Sequence, residues 1–369
     1  MKPQWSYQHV AFGDLPGWES DDQSEALAAF ADCREALQID SNHDTAAADY
    51  STVCNKLLAA CDEACGLVER RPAPAVARAF FERHFEPHCV INRDVTGLLT
   101  GYYEPVLSGS RLPSPTHNVP VYRRPADLVE RVADDQRGAS GELLTHVRRT
   151  SIGFEPYPTR AQIEQGVLDG QGLELFYLMD PVDTFFLHVQ GSGLIRLDDG
   201  ESMRVTFDGK NGHPYTSIGR SLADEGVMER AEITLRSLSA WLKADPCRAR
   251  DVMWRNKSFI FFKELGPADL ARPIGIKNIP LTANRSLAVD GSCHAAGLPI
   301  FVSSPKLTHA DVHGRPFARL MIAQDAGSAI TGPERGDIYF GSGDEAGHLA
   351  GLTKHQGSFF VLLPKSTLS

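Results

Sequence analysis

From Phe259 to its end the chain is built of short apolar segments set between Gly, Asp and Pro, and no other feature limits its fold as much. The segments at 259–262 (FIFF), 298–302 (LPIFV), 319–323 (RLMIA), 338–340 (IYF) and 358–363 (SFFVLL) are of strand length and too short for helices. Short strands closed by turn residues, with no helix pattern alternating between them, indicate a compact barrel and argue against a doubly wound α/β sheet. A second β-rich stretch begins near Thr96. It holds strand candidates at 119–122 (VPVY), 173–178 (LELFYL), 184–190 (TFFLHVQ) and 203–207 (MRVTF), interrupted by one helix at 159–165. The segment 127–141 is charged and expected at the surface.

Apart from that one helix, helical periodicity is confined to the two regions that flank this stretch. Apolar residues recur at helical spacing over 24–37 and 50–68, and again over 74–84, where Pro72 and Pro74 stand near the start and Pro87 closes the element. The pattern returns at 218–222 and 230–244 and stops at Asp245-Pro246. The fold class is therefore mainly β with N-terminal helices (α+β). At 369 residues the chain is long enough for two or three domains.

Composition removes several function classes. The net charge is −10, which disfavours sequence-independent nucleic-acid binding, because that relies on basic patches to release counterions. Glycans remain compatible with such a balance. No apolar run reaches the roughly 18 residues of a membrane span, and the first residues lack a signal-peptide pattern. The seven cysteines include Cys61 and Cys65 at helical spacing, without a second ligand pair for zinc. His188, His213 and His348 have no HExxH spacing. Small buried thiols and singly bonded imidazoles are the expected roles, with no metal and no organic cofactor.

Three aspartates stand beside strand candidates: Asp290 in LAVDG, Asp325 in MIAQDAG and Asp337 in RGDIYFGSG. Acidic residues at strand edges of one small barrel can converge in a cleft, although Asp before Gly is also a common turn former, above all at Asp290-Gly291. The Gly341-Ser342-Gly343 element lacks the Lys-Ser/Thr of a phosphate loop, and Gly191-Ser192-Gly193 lacks the serine-hydrolase elbow. Polar side chains cluster at Gln190 and Ser192 and at Lys210 and Asn211, and offer donors and acceptors for sugar hydroxyls. Tyr102 and Tyr103 add aromatic faces for a pyranose.

Four stretches in order, TGYYEP at Thr100, VQGSG at Val189, GKNGHPYTSIG at Gly209 and DIYFGSGDEAGHLAG at Asp337, resemble the membrane-bound lytic murein transglycosylase A family. The similarity runs from about residue 95 to the C-terminus, with the N-terminal helices matching loosely. The resemblance implies a double-ψ β-barrel domain from 1–102 and 245–369, an inserted β-rich substrate-binding domain at 103–244, and a glycan groove between them. It implies cleavage of the β-1,4 bond between N-acetylmuramic acid and N-acetylglucosamine in peptidoglycan, leaving 1,6-anhydromuramic acid ends. Asp337 would be the acid and then the base, with Asp325 and Asp290 completing the three-aspartate pattern. Thr100, Tyr102, Gln190, Ser192, Lys210 and Asn211 are the expected glycan contacts. The family location is the periplasmic face of the outer membrane, through a lipid anchor whose leader is missing from this chain, with cell-wall synthesis proteins as potential partners. Two other functions fit the same residues: a hydrolase with Asp325 or Asp290 as base, and a glycan-binding scaffold without catalysis.

Overall fold

The computed structural model describes residues 5–42, 48–92, 97–132, 144–230, 232–266, 271–327 and 329–365, and only the backbone of 40–42 and 48–51. Most of the charged segment expected at the surface, from 133 on, lies outside these residues. The chain divides into two compact units. The first comprises Met1–Tyr103, Ile274–Gly341 and Leu349–Ser369; the second comprises Glu104–Pro273 and Ser342–His348.

The first unit opens with strand β1 (Trp5–His9), followed by helices α1 (Ser24–Ala31), α2 (Arg34–Asn42), α3 (Ala48–Val68) and α4 (Pro74–His84), then strands β2 (Phe85–Asn92) and β3 (Leu98–Glu104). The helical pattern at 24–37 is thus broken by a turn at Asp32 and Cys33. Pro87 does not close a helix; it sits inside β2 and pairs with Leu362. The helices are held by apolar packing. Phe30 of α1, Phe80 and Phe81 of α4 and Phe85 of β2 are all 0–1% exposed, with Phe30 ring centroids 5.8–6.1 Å from the other three. Removing one such ring typically costs about 3–5 kcal/mol.

The second unit follows with β4 (Val106–Ser110), β5 (Val119–Tyr122), β6 (Leu128–Glu130), β7 (His146–Thr150), β8 (Gly153–Pro156), α5 (Arg160–Gln162), β9 (Glu174–Leu178), α6 (Pro181–Gln190), β10 (Ser192–Leu197), β11 (Ser202–Lys210), α7 (Ile218–Asp224), α8 (Leu235–Lys243), α9 (Pro246–Met253) and β12 (Ile260–Glu264). Its strands form a six-stranded sheet in the order β12-β11-β10-β4-β9-β5 and a three-stranded sheet β6-β7-β8. The segment at 184–190, expected as a strand, is helix α6. Asp180 caps it by accepting from the Val182 N–H at 2.7 Å, Pro181 occupies the first turn, and Gly191 ends it at φ 78°. Asp245-Pro246 likewise stops one helix and starts another, since the Asp245 carboxylate accepts from Cys247 and Arg248 N–H. The expected return to the barrel at 245 is also displaced. Helix α9 and strand β12 stay in the second unit, where β12 pairs with β11.

The chain then continues with β13 (Ser286–Val289), β14 (Pro299–Ser304), β15 (Phe317–Ala326), β16 (Arg335–Ser342), helix α10 (Asp344–Leu352), whose first five residues belong to the second unit, β17 (Lys354–Gln356) and β18 (Ser358–Pro364). With β1, β2 and β3 these strands form a nine-stranded mixed sheet ordered β1-β2-β18-β14-β15-β13-β16-β3-β17. The fold is thus mixed sheets with helices. The N-terminal segment is fixed to this sheet by polar contacts as well as apolar ones. Arg285 pairs with Asp21 at 3.0 Å, both nearly buried, and the Gln324 amide donates to Ala29 carbonyl at 2.7 Å.

Candidate active site

Alternation along β3 and β16 puts the polar residues of each strand on one face. On β3 these are Thr100 and Tyr102; on β16 they are Arg335, Asp337 and Tyr339, while Ile338 and Phe340 are buried on the other side. Gly101 separates the two β3 residues for a steric reason. A Cβ there would stand 2.5 Å from the Phe340 ring and 2.8 Å from the Ala350 Cα. The Thr100 hydroxyl donates to Asp337 Oδ1 at 2.5 Å and accepts from Arg335 Nη2 at 2.8 Å. The Tyr102 hydroxyl donates to Asp325 Oδ2 at 2.9 Å, and its ring packs against Tyr339 with centroids 5.2 Å apart.

A bulge brings Asp325 to this face. Leu287 of β13 pairs with Ala323, but the next residue, Ala288, pairs with Asp325, so Gln324 is the extra residue. Gln324 turns inward, 0% exposed, accepting from the Ser286 hydroxyl at 2.5 Å, while Asp325 stays partly exposed. Ala288 also pairs with Asp337 across the other edge of β13. The two aspartates therefore flank one small residue in a single row across three strands.

Desolvation makes both carboxyls hold protons more tightly than usual. Burial raises the pKa of Asp337 above the ordinary aspartate value, against the opposing effects of the Thr100 hydroxyl and the Arg335 guanidinium. Asp325 is raised to about 6, chiefly by burial and further by the Asp337 charge, with the Ala326 N–H and Tyr102 hydroxyl opposing. Burial and the same two carboxylates push Tyr102 well above its ordinary value, so its hydroxyl remains a donor. Partly open carboxyls with raised pKa, held by hydroxyl donors, are the arrangement that general acid catalysis needs.

The third aspartate has a different role. Asp290 follows β13 and accepts from Ser292 N–H at 2.9 Å, Ser292 hydroxyl at 2.6 Å and Gly332 N–H at 2.6 Å. Burial alone would raise its pKa, but these bonds together hold it below the usual value. It is an ionised brace for a turn, as the Asp-Gly pattern also allows.

The other expected contacts lie in the second unit. Gln190 ends α6, Ser192 begins β10 and Lys210 ends β11, each partly exposed. Asn211 is different: it is 0% exposed, its amide donates to Pro158 and Lys257 carbonyls and its oxygen accepts from Phe259 N–H, each at 2.9 Å. Its polar atoms are committed to the backbone, which corrects its expected part in glycan contact. His188 and His213 are an enclosed aromatic neighbour of Phe259 and a partner of the Tyr157 carbonyl. Among the described residues no group of His, Cys, Asp or Glu is arranged to hold a metal.

Sequence reasoning passed over Arg335, although its position two residues before Asp337 places it on the same face. It also passed over Lys354, which stands opposite Thr100 on β17. That pairing joins distant segments and has no local signal.

Comparison with known proteins bears on the same strands. The MltA specific insert domain matches residues 98–263 and the 3D domain matches residues 285–363. The membrane-bound lytic murein transglycosylase A of Vibrio cholerae is 35% identical over 269 residues, which are 72% of this chain and 65% of that protein. The chain thus spans about 65% of the length of the curated relatives it matches. A crystal structure of a membrane-bound lytic murein transglycosylase from Agrobacterium tumefaciens is similar with a TM-score of 0.84 and 38% identity, covering 97% of this chain and 98% of that one. A crystal structure of Escherichia coli MltA with bound chitohexaose is similar with a TM-score of 0.69 and 25% identity, covering 99% and 96%. Among the described residues no helix is long and apolar enough to cross a membrane.

Proposed function

The chain belongs to the membrane-bound lytic murein transglycosylase A family, and on that premise we propose that it cuts peptidoglycan glycan strands without water, with Asp337 as the single acid and base. The observation that carries this reading is the Asp337 carboxyl itself: partly open, raised in pKa by burial, and held at one oxygen by Thr100. Protonated Asp337 gives its proton to the oxygen of the β-1,4 bond, and the bond from muramic acid C1 to that oxygen breaks. The N-acetylglucosamine leaves with a free 4-hydroxyl. The C6 hydroxyl of the same muramic acid then bonds to C1 and passes its proton to the Asp337 carboxylate, which restores the acid. Atoms and charge balance with no second carboxylate, unlike a hydrolase, where water must be activated or a glycosyl-enzyme formed. Tethering of the nucleophile supplies much of the effective molarity.

Asp325 orients Tyr102 in this scheme, and Gln190, Ser192 and Lys210 contact the glycan. We assign the nine-stranded sheet to a double-ψ β-barrel with the catalytic role, and the second unit to substrate binding. The chitohexaose held by the Escherichia coli relative supports a β-1,4-linked amino-sugar chain as ligand. A periplasmic place at the outer membrane accords with the "membrane-bound" relatives.

Digestion of purified peptidoglycan by the wild-type protein and Asp337→Asn, followed by mass spectrometry, tests the reading. Anhydro-muropeptides from the wild type alone are expected. Reducing ends would replace the transglycosylase with a two-carboxylate hydrolase, and no release by the wild type would leave a glycan-binding scaffold.

A further inference from the structure

Arg335 lies two residues before the proposed acid on the same strand face, and its hydrogen bonds leave Thr100 little freedom. A guanidinium has five donors and no acceptor, and a threonine hydroxyl has one donor. Because Arg335 Nη2 donates to Thr100 Oγ1, the hydroxyl must accept there, and its own proton is directed to Asp337 Oδ1. The guanidinium is fixed in turn by the backbone. Its Nη1 donates to the Gly336 carbonyl at 2.6 Å and the Leu98 carbonyl at 3.5 Å, so it spans β16 and the start of β3.

We infer that Arg335 is a positioning residue that acts through Thr100, holding Asp337 Oδ1 as a hydrogen-bond acceptor so that the transferable proton sits on Oδ2. The role rests on Asp337 being the proton donor proposed above, and it adds which oxygen donates and what fixes that choice. Tyr102 donates to Asp325, Tyr339 packs on Tyr102, and Lys354 faces Thr100 from β17. Asp325 stands across Ala288 from Asp337 in the same row. Arg335 has a second effect on the same group, since its positive charge favours the ionised carboxyl while desolvation opposes it.

The test is a carboxyl carbon NMR titration of Asp337 in the full chain, as wild type, Arg335→Met, Thr100→Val and the double variant. Removing either the cation or the hydroxyl donor is expected to raise the Asp337 pKa by about one unit. Because Arg335 acts through Thr100, the double variant is expected to rise little beyond the larger single change. Arg335→Lys keeps the charge but cannot bridge the two carbonyls and Thr100; kcat on peptidoglycan is expected to fall roughly tenfold with KM unchanged. An unmoved pKa in Arg335→Met, or shifts that add in the double variant, would overturn the inference. Should Arg335→Met fail to fold, the same cycle with Arg335→Lys decides, additive effects again counting against it. The titration needs no substrate, so a wild type that makes no anhydro product would count against the proposed reaction and not against this relay.

Discussion

Asp325 and Asp337 are carboxyls that the fold makes harder to ionise, and this links the site to stability. Asp325 titrates near 6 in the folded chain against 3.8 for an ordinary aspartate. A folded pKa above the unfolded one contributes stability that is fully present below about pH 3.8 and is lost as pH rises through about 6. Asp325→Asn removes the charge that burial opposes. It should stabilise the protein by about 1–2 kcal/mol at pH 8 and by little at pH 4. Chemical denaturation at the two pH values checks this, and an equal effect at both would count against the burial of Asp325 as the cause. At this scale the sequence disclosed the residue types and hid their surroundings. Asp325 and Asp337 were legible because each abuts an apolar run. Asp290 and Asn211 looked equally available, but their bonding to Ser292 and Gly332, and to Pro158, Lys257 and Phe259, is tertiary or turn geometry that spacing does not encode.

Among the elements, β3 shows most directly how packing serves the site. Thr100 and Tyr102 face the aspartates only because Gly101 lets the strand lie against Phe340 and Ala350. Gly101→Ala should cost about 1–3 kcal/mol, since part of the obstruction is the Ala350 backbone. Urea unfolding measures it; an unchanged midpoint would mean the strand and α10 separate freely. The strands at β5, β9, β11, β12, β14, β15, β16 and β18 were readable from period and punctuation, β5 with the expected bounds, whereas β1, β2, β6, β7, β8 and β17 were not. The failure at α6 is instructive. Thr184-Phe185-Phe186-Leu187-His188-Val189 is apolar and rich in strand formers, yet Asp180, Pro181 and Gly191 supply a cap, a first turn and a stop. Buried on several sides, including Val182, Phe185 and Phe186 in one cluster and Leu187 in another, this helix has no clean polar face to give a 3.6-residue signal. Helix α10 has no expectation in the sequence, since the glycines of DEAGHLAGL interrupt its helical pattern.

For the whole molecule, the path of the chain matters more than its length. The first unit is assembled from both ends, with Asp21 and Ala29 meeting Arg285 and Gln324 across most of the sequence. No local pattern could reveal that the N-terminal helices and the C-terminal strands share a core. Within the second unit, Glu104 is fully buried and bonds Arg204 at 2.6 and 2.9 Å and Ser342 at 2.6 Å. Glu104 ends β3, directly after Tyr102-Tyr103, and Ser342 ends the strand of Asp337, so the strands that carry Thr100 and Asp337 are joined by a hydrogen bond at the points where the chain enters that unit. The central claim is that the attacking hydroxyl belongs to the substrate. Digestion of peptidoglycan in water labelled with heavy oxygen tests it most directly, by the mass of the newly formed muramic acid ends. Anhydro ends with no label are expected; labelled reducing ends formed by the wild-type protein and lost in Asp337→Asn would contradict a substrate-borne nucleophile.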